Sequence, residues 1–547
     1  MRRKSDQDRR AWQEERSAGA YRLYIFALFF YTDTMVSVLR HSLITVSGSV
    51  CSRVLGFVRD ASLAWLFGSS AAADAVTTAL RLPYLVRRLY GEGSLSLELA
   101  AHCVRFRYLY PDGDLFLAAR VGRLAVYWGA AMLVLCWVLA FPLIWLIAPG
   151  IGLRPEVQEQ AVTLFRMCAG YMPLAMLAAV ATALLHGRER FATPALTGSA
   201  FNLTLIGCIG AAAWGIGLPA SMVAFGVLLG GAAQLLVQVR ELCVLWRRSQ
   251  PLSVTDASAV NTQARKIFAR LPLGFSGAVA PQLMFVLTAA LTSLASDGSL
   301  SALFYAERLM EFPIGVLGAA IGMASAPHLA KIVAEHGEQA LLPHMNTVMG
   351  VSLLLNLPAA AGLVAVAEPL TRMLLGHGAF GQEGVALTAA YLCAYAPGLP
   401  AYGLSRPLLA ACHAVEDRRT PVRALLFGLT FTLVSGVLLL FFMGRMGPPL
   451  GVALGLWVYM LTLRHGLKKR IGVWSFPWPR LVRTVCGSVL VWMVADTATR
   501  WAGGSAKGLL WAVPAGIAAY ALVMLTERGT CEALRHRIKL FWDRSRR

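Results

Sequence analysis

Charged residues are scarce in this sequence, and acidic residues are the scarcest. Only 14% of the 547 residues are Asp, Glu, Lys or Arg, whereas 57% are hydrophobic. Soluble domains carry about 25% charged residues, so a soluble protein is excluded and a polytopic membrane protein is indicated. Basic residues outnumber acidic ones by 50 to 29, and most of the excess lies in short segments between apolar stretches. That distribution favours an oriented membrane protein over a nucleic-acid-binding protein.

Motifs for metal binding and covalent chemistry are missing as well. The 10 cysteines are scattered, with no CxxC pair and no Cys/His cluster, so neither a zinc site nor a disulfide framework is indicated. No P-loop, HExxH motif or ordered Ser/His/Asp set occurs, which leaves ATP-driven pumping and hydrolysis without support. We therefore expect no catalytic residues, no bound metal and no cofactor.

Long apolar segments make up most of the chain. A helix needs about 20 residues to cross a bilayer, so these segments predict about fourteen membrane spans. Their approximate limits are 38–67, 73–98, 118–148, 157–186, 193–216, 219–246, 268–295, 299–332, 344–366, 384–413, 421–443, 449–467, 480–500 and 508–526.

An internal repeat relates the two halves of the chain. HGRERFATP at 186–194 matches HAVEDRRTP at 413–421, and the same spacing pairs Arg81 with Arg308. The repeat predicts an all-α fold with two six-helix lobes, a pseudo-two-fold axis along the membrane normal and a binding site between the lobes. The expected parts are a poorly ordered extension at 1–34, an N-terminal lobe at 35–248, a C-terminal lobe at 249–470, two further helices at 471–530 and a basic tail at 531–547.

Arginine and lysine are concentrated in alternate loops. Arg188 and Arg190 lie in one such loop and Arg418 and Arg419 in another, whereas the alternate loops FGSSAAA and ASDGSL contain neither residue type. By the positive-inside rule, we expect the basic loops and both chain termini on the cytoplasmic side.

The first two expected spans keep many charges at membrane depth, where each costs about 2.5–3.5 kcal/mol on insertion scales. Such residues must face a polar cavity, pair with one another or, as an alternative for Arg81 and Arg88, extend to the membrane surface. An ion pair between Arg59 and Asp74 would form a gate at the outer ends of these spans. The charged residues of this stretch are Arg53, Arg59, Asp60, Asp74, Arg81, Arg87, Arg88 and Glu92.

The eighth expected span carries a second charged group, Glu307, Arg308 and Glu311. Arg308 either pairs with Glu311, three residues on along one helix face, or faces the arginines of the first two spans across a cavity. Guanidinium groups bind phosphate through two parallel hydrogen bonds and keep their charge at any accessible pH. A cavity with four of them would bind an anion, and a diphosphate fits naturally. The predicted binding residues are Arg53, Arg59, Arg87 and Arg308, and the predicted gate or cavity acids are Asp60, Asp74, Glu92 and Glu311.

Asp112-Gly-Asp114 has the DxD form in which sugar-nucleotide transferases hold a divalent ion. It stands alone in a short loop, where a solvated turn is the simpler interpretation. A membrane glycosyltransferase that uses these two carboxylates is therefore a weak alternative function, since the loops are too short for a nucleotide-sugar site.

Several segments closely resemble the MurJ/MviN lipid II flippase family over residues 36–530. They are SRVLGFVRD, the following FG with Asp74, ALRLPYLVRRLYGEGSLS, YAERLMEFPIGVLGAAIG and YLCAYAPGL with DRRTPVR. The resemblance implies fourteen helices in two lobes with a V shape, of the multidrug/oligosaccharidyl-lipid/polysaccharide exporter superfamily, and two extra helices that form a lipid groove. Two departures occur: LSLELAAH replaces the usual aromatic residue and proline after GEG, and the family usually starts near Met35.

The function implied by this resemblance is movement of lipid II, the undecaprenyl-diphosphate-linked peptidoglycan precursor, from the inner to the outer leaflet of the bacterial cytoplasmic membrane. The family's important arginines fall on Arg53, Arg59, Arg87 and Arg308, and its acids on Asp74 and Glu311. The expected partners are lipid II, membrane lipids and cell-wall synthesis proteins, without nucleic acid and without enzymatic chemistry. A drug or small-molecule antiporter of the same superfamily is the alternative, and it would favour an acidic cavity.

Overall fold

The computed structural model describes residues 47–91, 94–110, 112–249, 258–269, 280–472, 478–503 and 506–525. The expected extension at 1–34, the acid Glu92 and the basic tail at 531–547 lie outside these ranges. Within them every regular element is helical, as the apolar composition predicts.

The first half of the chain forms eleven helices in the described ranges. They are α1 at 47–67, α2 (Ala71–Gly91), α3 (Ser94–Leu109), α4 (Gly113–Val138), α5 (Ala140–Ile147), α6 (Pro149–Gly152), α7 (Pro155–Ala169), α8 (Tyr171–Gly187), α9 (Ala192–Ala213), α10 (Pro219–Arg247) and α11 at 258–269.

The second half continues with helices that are longer on average, and short 3₁₀ turns join three pairs of them, α13 to α14, α16 to α17 and α18 to α19. They are α12 (Ala280–Thr292), α13 (Ser299–His336), α14 (Leu341–Ala365), α15 (Ala367–Leu375), α16 (Gln382–Tyr395), α17 (Leu399–Ala414), α18 (Arg419–Met443), α19 (Gly447–Ile471), α20 (Trp478–Trp501) and α21 (Ala506–Leu525).

Nine helical segments in the described ranges are long and apolar enough to cross a membrane. One of them comprises both α18 and α19, while α7 with α8 and α16 with α17 each form one broken segment. With α1, α2, α12 and α13 added, the total is compatible with the expected number of about fourteen spans. The protein is thus an all-α, multi-pass membrane protein, as predicted.

Two expected boundaries are wrong. The second span was expected to run to residue 98, but α2 ends at Gly91 and α3 is a separate helix that packs against α4 and α8. The seventh was expected from residue 268, but residues 268 and 269 belong to α11. In both cases a short helix with buried apolar residues of its own lies next to a span, so hydropathy alone does not separate the two.

The repeated segments end their helices with the same turn. Glu189 and Glu416, which the repeat aligns, both adopt a left-handed conformation, with φ of 58° and 54°. In each segment the backbone N–H of the following residue donates to the carbonyl oxygen five residues earlier. Arg190 donates to Leu185 and Asp417 donates to Cys412, both at 2.8 Å. The division into lobes at 35–248 and 249–470 stays a prediction, and these matching turns agree with it.

The two halves meet at the end of the bundle that carries the loops 68–70, 293–298 and 376–381, which we name the closed end. The backbone N–H of Ala379 donates to the carbonyl of Trp65 at 2.9 Å, and Gly298 lies directly against the backbone of Ser69. The N–H of Gly150 donates to the hydroxyl of Ser293 at 2.8 Å. The opposite end, with the loops around Arg188 and Arg418, is named the basic end.

Candidate functional site

A cavity of about 680 Å³ lies between the halves and extends from the middle of the bundle toward the basic end. Its walls come from α1, α2, α8, α9, α10, α12, α13 and α17. All four predicted arginines line it, together with two of the predicted acids. These residues are Arg53, Arg59, Arg87, Arg308, Asp60 and Glu311.

Helical spacing explains why these charges converge. Arg53, Gly56 and Asp60 recur at intervals of three and four and therefore share one face of α1. Tyr84 and Arg88 share a face of α2 in the same way. All five line the cavity, so the charges that were costly in apolar spans are turned toward a polar interior.

Arg59 is held by protein groups. Its Nε and Nη2 donate to Oδ1 of Asp60 at 2.8 and 2.6 Å, and its Nη1 donates to Oδ1 of Asn202 at 2.9 Å. The amide of Asn202 in turn donates to the carbonyl of Ser52 at 2.8 Å. Arg59 is 5% exposed, so in this structure it joins α1 to α9 and shapes the cavity wall.

Arg308 combines both of the arrangements that the sequence left open. Its Nη1 donates to Oε2 of Glu311 at 2.9 Å, and its Nε lies 3.6 Å from Oδ2 of Asp60 in the other half. The guanidinium also lies 5.2 Å from the ring centroid of Tyr84, and that of Arg59 lies 5.4 Å from the same ring. One tyrosine is therefore contacted by two cations from opposite halves, an attractive cation–π arrangement.

Arg88 and Arg81 do not extend to a membrane surface, so that interpretation is wrong for both. Arg88 pairs with Glu311 and donates to Oε1 of Gln282 at 2.6 Å. Arg81 is buried, with Nη1 at 3.2 Å from Oε2 of Glu307. Both arginines contact acids on α13 in the other half.

Arg53 and Arg87 face the cavity with different neighbours. The Arg53 guanidinium lies where a Cβ on Gly315 would be, so this glycine lets it approach the backbone of α13. Arg87 lies with its guanidinium 5.2 Å from the ring centroid of Phe201. Among the described residues, Arg53 forms no ion pair.

Asp74 lies outside this cavity, at the closed end. It is fully buried, and its two carboxylate oxygens accept hydrogen bonds from the backbone N–H groups of Gly298 and Ser301 at 2.9 and 2.8 Å. The expected ion pair with Arg59 is not formed here. The N-terminus of α13 offers unpaired N–H groups and a positive dipole, and these take the carboxylate instead.

Sequence reasoning missed three polar residues of the cavity, Asn202, Gln282 and Tyr84. Asn202 and Gln282 lie in otherwise apolar helices, and an uncharged amide in a membrane span is itself a signal of a polar interior. Tyr84 could not have been distinguished from an ordinary packing residue by its sequence neighbours.

Asp112 and Asp114 share one arginine. Arg188 Nε donates to Oδ2 of Asp114 at 2.6 Å, and its Nη2 donates to Oδ1 of Asp114 at 2.7 Å and to Oδ1 of Asp112 at 2.9 Å. Asp114 has no exposed surface, so the solvated-turn interpretation is wrong for it. The two carboxylates fix the loop before α4 to the end of α8 and leave the glycosyltransferase alternative without free ligands.

This cluster gives a stability prediction. Asp114→Asn is expected to destabilise the protein by about 1.5–3 kcal/mol, because it removes the charged acceptor of two short hydrogen bonds from Arg188, which keeps only Asp112 as an acid partner. Thermal denaturation of purified protein should show a lower midpoint than wild type. Asp112→Asn is the control, since this side chain is 25% exposed and should have a much smaller effect. Equal midpoints for Asp114→Asn and wild type would contradict the structural role.

Comparison with known proteins adds a family match. The model of the family described as "Lipid II flippase MurJ" matches residues 63–520. The lipid II flippase MurJ of Burkholderia cenocepacia is 29% identical over 458 residues, which cover 82% of this chain and 88% of that protein. A probable lipid II flippase MurJ of Buchnera aphidicola subsp. Acyrthosiphon pisum is 27% identical and covers 77% of this chain and 82% of its own length.

Solved structures share the fold. A structure titled "Lipid II flippase MurJ, inward closed conformation" superposes with a TM-score of 0.70 at 20% identity, over 88% of this chain and 98% of that one. An inward-facing multidrug resistance MATE family transporter of the MOP superfamily superposes with a TM-score of 0.63 at 14% identity, over 78% of this chain and 98% of that one. These two likenesses establish the architecture of the bundle.

Proposed function

Since the chain belongs to the lipid II flippase MurJ family, we propose that it moves lipid II from the inner to the outer leaflet of the bacterial cytoplasmic membrane by alternating access. In this proposal the basic end and both termini are cytoplasmic. The protein performs no covalent chemistry and requires no cofactor.

The observation that carries the proposal is the arginine-rich cavity between the halves. Arg53, Arg87 and Arg308 come from three helices, and their mutual repulsion is unfavourable unless anions compensate it. Asp60 and Glu311 supply part of this compensation. A diphosphate would supply the rest, and guanidinium groups suit it because they bind phosphate oxygens in pairs.

The cavity residues have separate roles in this mechanism. Arg53 and Arg87 would contact the diphosphate directly, and Arg308 would contact it from the opposite half. Arg59 would position the wall through Asp60 and Asn202, to which it is already bonded. A ligand held from both halves would draw them together at the basic end, which links binding to the conformational change.

The polyprenyl tail of the substrate would stay in the lipid, along α20 and α21. These helices pack on α14 and α15 at the side of the bundle and expose large apolar residues, including Trp492, Leu510 and Trp511. An exposed apolar surface of this kind suits contact with acyl chains. Proteins of cell-wall synthesis are the further partners that this function would require.

A transport assay distinguishes lipid II from the antiporter alternative. Purified protein in liposomes should move lipid II between leaflets and should not move a lipophilic drug cation, because the cavity is lined with guanidinium groups. Protein-free liposomes give the background rate. Movement of the drug cation without movement of lipid II would overturn the proposed substrate, whatever the family of the chain.

A further inference from the structure

A second cavity lies at the basic end, apart from the central one. It has a volume of about 340 Å³ and lies between α3 and α11. Arg105 and Lys266 contribute two cations to its wall, and His102, three hydroxyl groups and the amide of Gln263 contribute polar atoms. None of the residues that line it is acidic. A concave set of cations and hydrogen-bond donors without a carboxylate favours an anionic ligand.

The two helices that form this cavity are fixed by a common apolar cluster. On α11 the buried residues are Val260, Ala264 and Ile267, spaced four and three apart, and on α3 they include Leu99 and Cys103. The opposite face of α11 carries exposed polar residues such as Thr262 and Lys266, whereas that of α3 mixes Arg105 with exposed apolar residues such as Val104.

A polar contact closes one side of the cavity. The side-chain amide nitrogen of Gln263 lies 3.3 Å from Nδ1 and 3.4 Å from Nε2 of His102. This contact joins α3 to α11 directly, so the walls of the cavity are built from both helices and do not depend on a ligand.

The cavity lies where the chain enters the membrane. α3 ends at Leu109, four residues before the membrane-spanning helix α4 begins at Gly113. Tyr108 and Leu109 are 88% and 56% exposed, and Arg105 and Arg107 lie beside them on α3. Exposed aromatic and apolar residues interleaved with arginine are typical of a helix at the membrane surface.

We propose that this cavity binds the phosphate-bearing headgroup of an anionic membrane phospholipid. Arg105 from α3 and Lys266 from α11 contact the phosphate. Leu109 borders the cavity and contacts the first carbons of the lipid. Because α11 lies in the segment that joins the two halves, a bound headgroup adds to the apolar contacts that already hold α11 against α3.

Phosphatidylglycerol is the probe for the test, with phosphatidylcholine as the neutral comparison. Native mass spectrometry of the full-length protein should show retained phosphatidylglycerol in wild type. The double variant Arg105→Gln with Lys266→Gln should bind it about 25-fold more weakly, since each basic residue near a lipid phosphate contributes about fivefold. The control is Arg107→Gln with Arg265→Gln, which removes the same charge from positions of the same helices that do not line the cavity and should change binding by less than about twofold.

Two further arms keep the assignment testable. Ala259→Phe should fill the cavity and weaken phosphatidylglycerol binding without a change of charge. Free glycerol phosphate should not displace the lipid at equal concentration. Equal losses of phosphatidylglycerol binding in both double variants would show that the effect comes from general surface charge. Displacement by glycerol phosphate would show that the ligand is a soluble anion. Either result would overturn the proposal, and neither depends on lipid II movement.

Discussion

Alanine at Arg53, Arg87 or Arg308 is expected to lower lipid II movement by about 10- to 100-fold while the protein still inserts and folds. The three guanidinium groups line one cavity, and in our proposal they bind the diphosphate. A hydrogen bond to a charged group contributes about 1.5–3 kcal/mol, which corresponds to about 10- to 100-fold in affinity. Insertion should survive, because removing a charge at membrane depth lowers its cost.

The ion-pair pattern supports survival of the fold, most clearly for Arg308. After Arg308→Ala, Glu311 keeps its pair with Arg88, and Asp60 keeps its pair with Arg59. Neither of the two acids that Arg308 contacts is therefore left without a cation. A loss of transport in this variant would report on the ligand site and not on a general failure of packing.

Lysine at the same three positions should retain part of the activity. It preserves the positive charge but lacks the planar group that binds two phosphate oxygens at once. At Arg308 it would also lose the stacked contacts with Tyr84 and Phe304, whose ring centroids lie 5.2 and 4.9 Å from the guanidinium. We expect the smallest recovery there.

The measurement is lipid II binding and movement in liposomes that contain equal amounts of folded protein. Arg166→Ala is the matched control, because Arg166 stacks on Trp137 at 4.8 Å and lies on α7 outside the cavity. It removes the same charge and should leave transport unchanged. Undiminished binding and movement in all three cavity variants would exclude the arginine-site mechanism.

The convergence of the arginines could be predicted, and their partners could not. A charge in a membrane span must find a polar surrounding, so the residue types alone indicated a cavity that contains Arg53 and Arg308. The partner of Arg88 depends on how the two halves cross, and the sequence does not specify that crossing. The same holds for Asn202, which meets Arg59 from a helix far along the chain.

Asp74 shows a second limit of sequence reasoning. Its partners are backbone N–H groups at the start of α13, and every residue except proline carries such a group. Side-chain pairing rules therefore suggested Arg59 as its partner, which the structure does not show. The prediction that Asp74 acts at a gate stays open, now with a different contact to break.

Asp74→Asn is expected to open the closed end and impair transport more than expression. Both carboxylate oxygens now accept N–H groups from the other half. An asparagine would keep one oxygen as an acceptor, but its NH₂ group would face the second backbone N–H, so that two donors would meet. It would also lose the attraction between a negative charge and the helix N-terminus. Loss of a charged hydrogen bond of about 1.5–3 kcal/mol would shift the balance between closed and open forms by about 10- to 100-fold.

Alternating access requires this contact to form and break once in each cycle, so a weaker contact should leave the protein too long in the open form. Spin labels at Leu153 and His377, both exposed at the closed end, would report the separation of the halves in a cysteine-free background. Asp74→Asn should move the distance distribution to longer values. Asp297→Asn should not, because this acid is 60% exposed at the same end and exposed ion pairs contribute about 0–1 kcal/mol. An unchanged distribution together with normal lipid II movement in Asp74→Asn would show that the Asp74 contact with α13 does not gate transport.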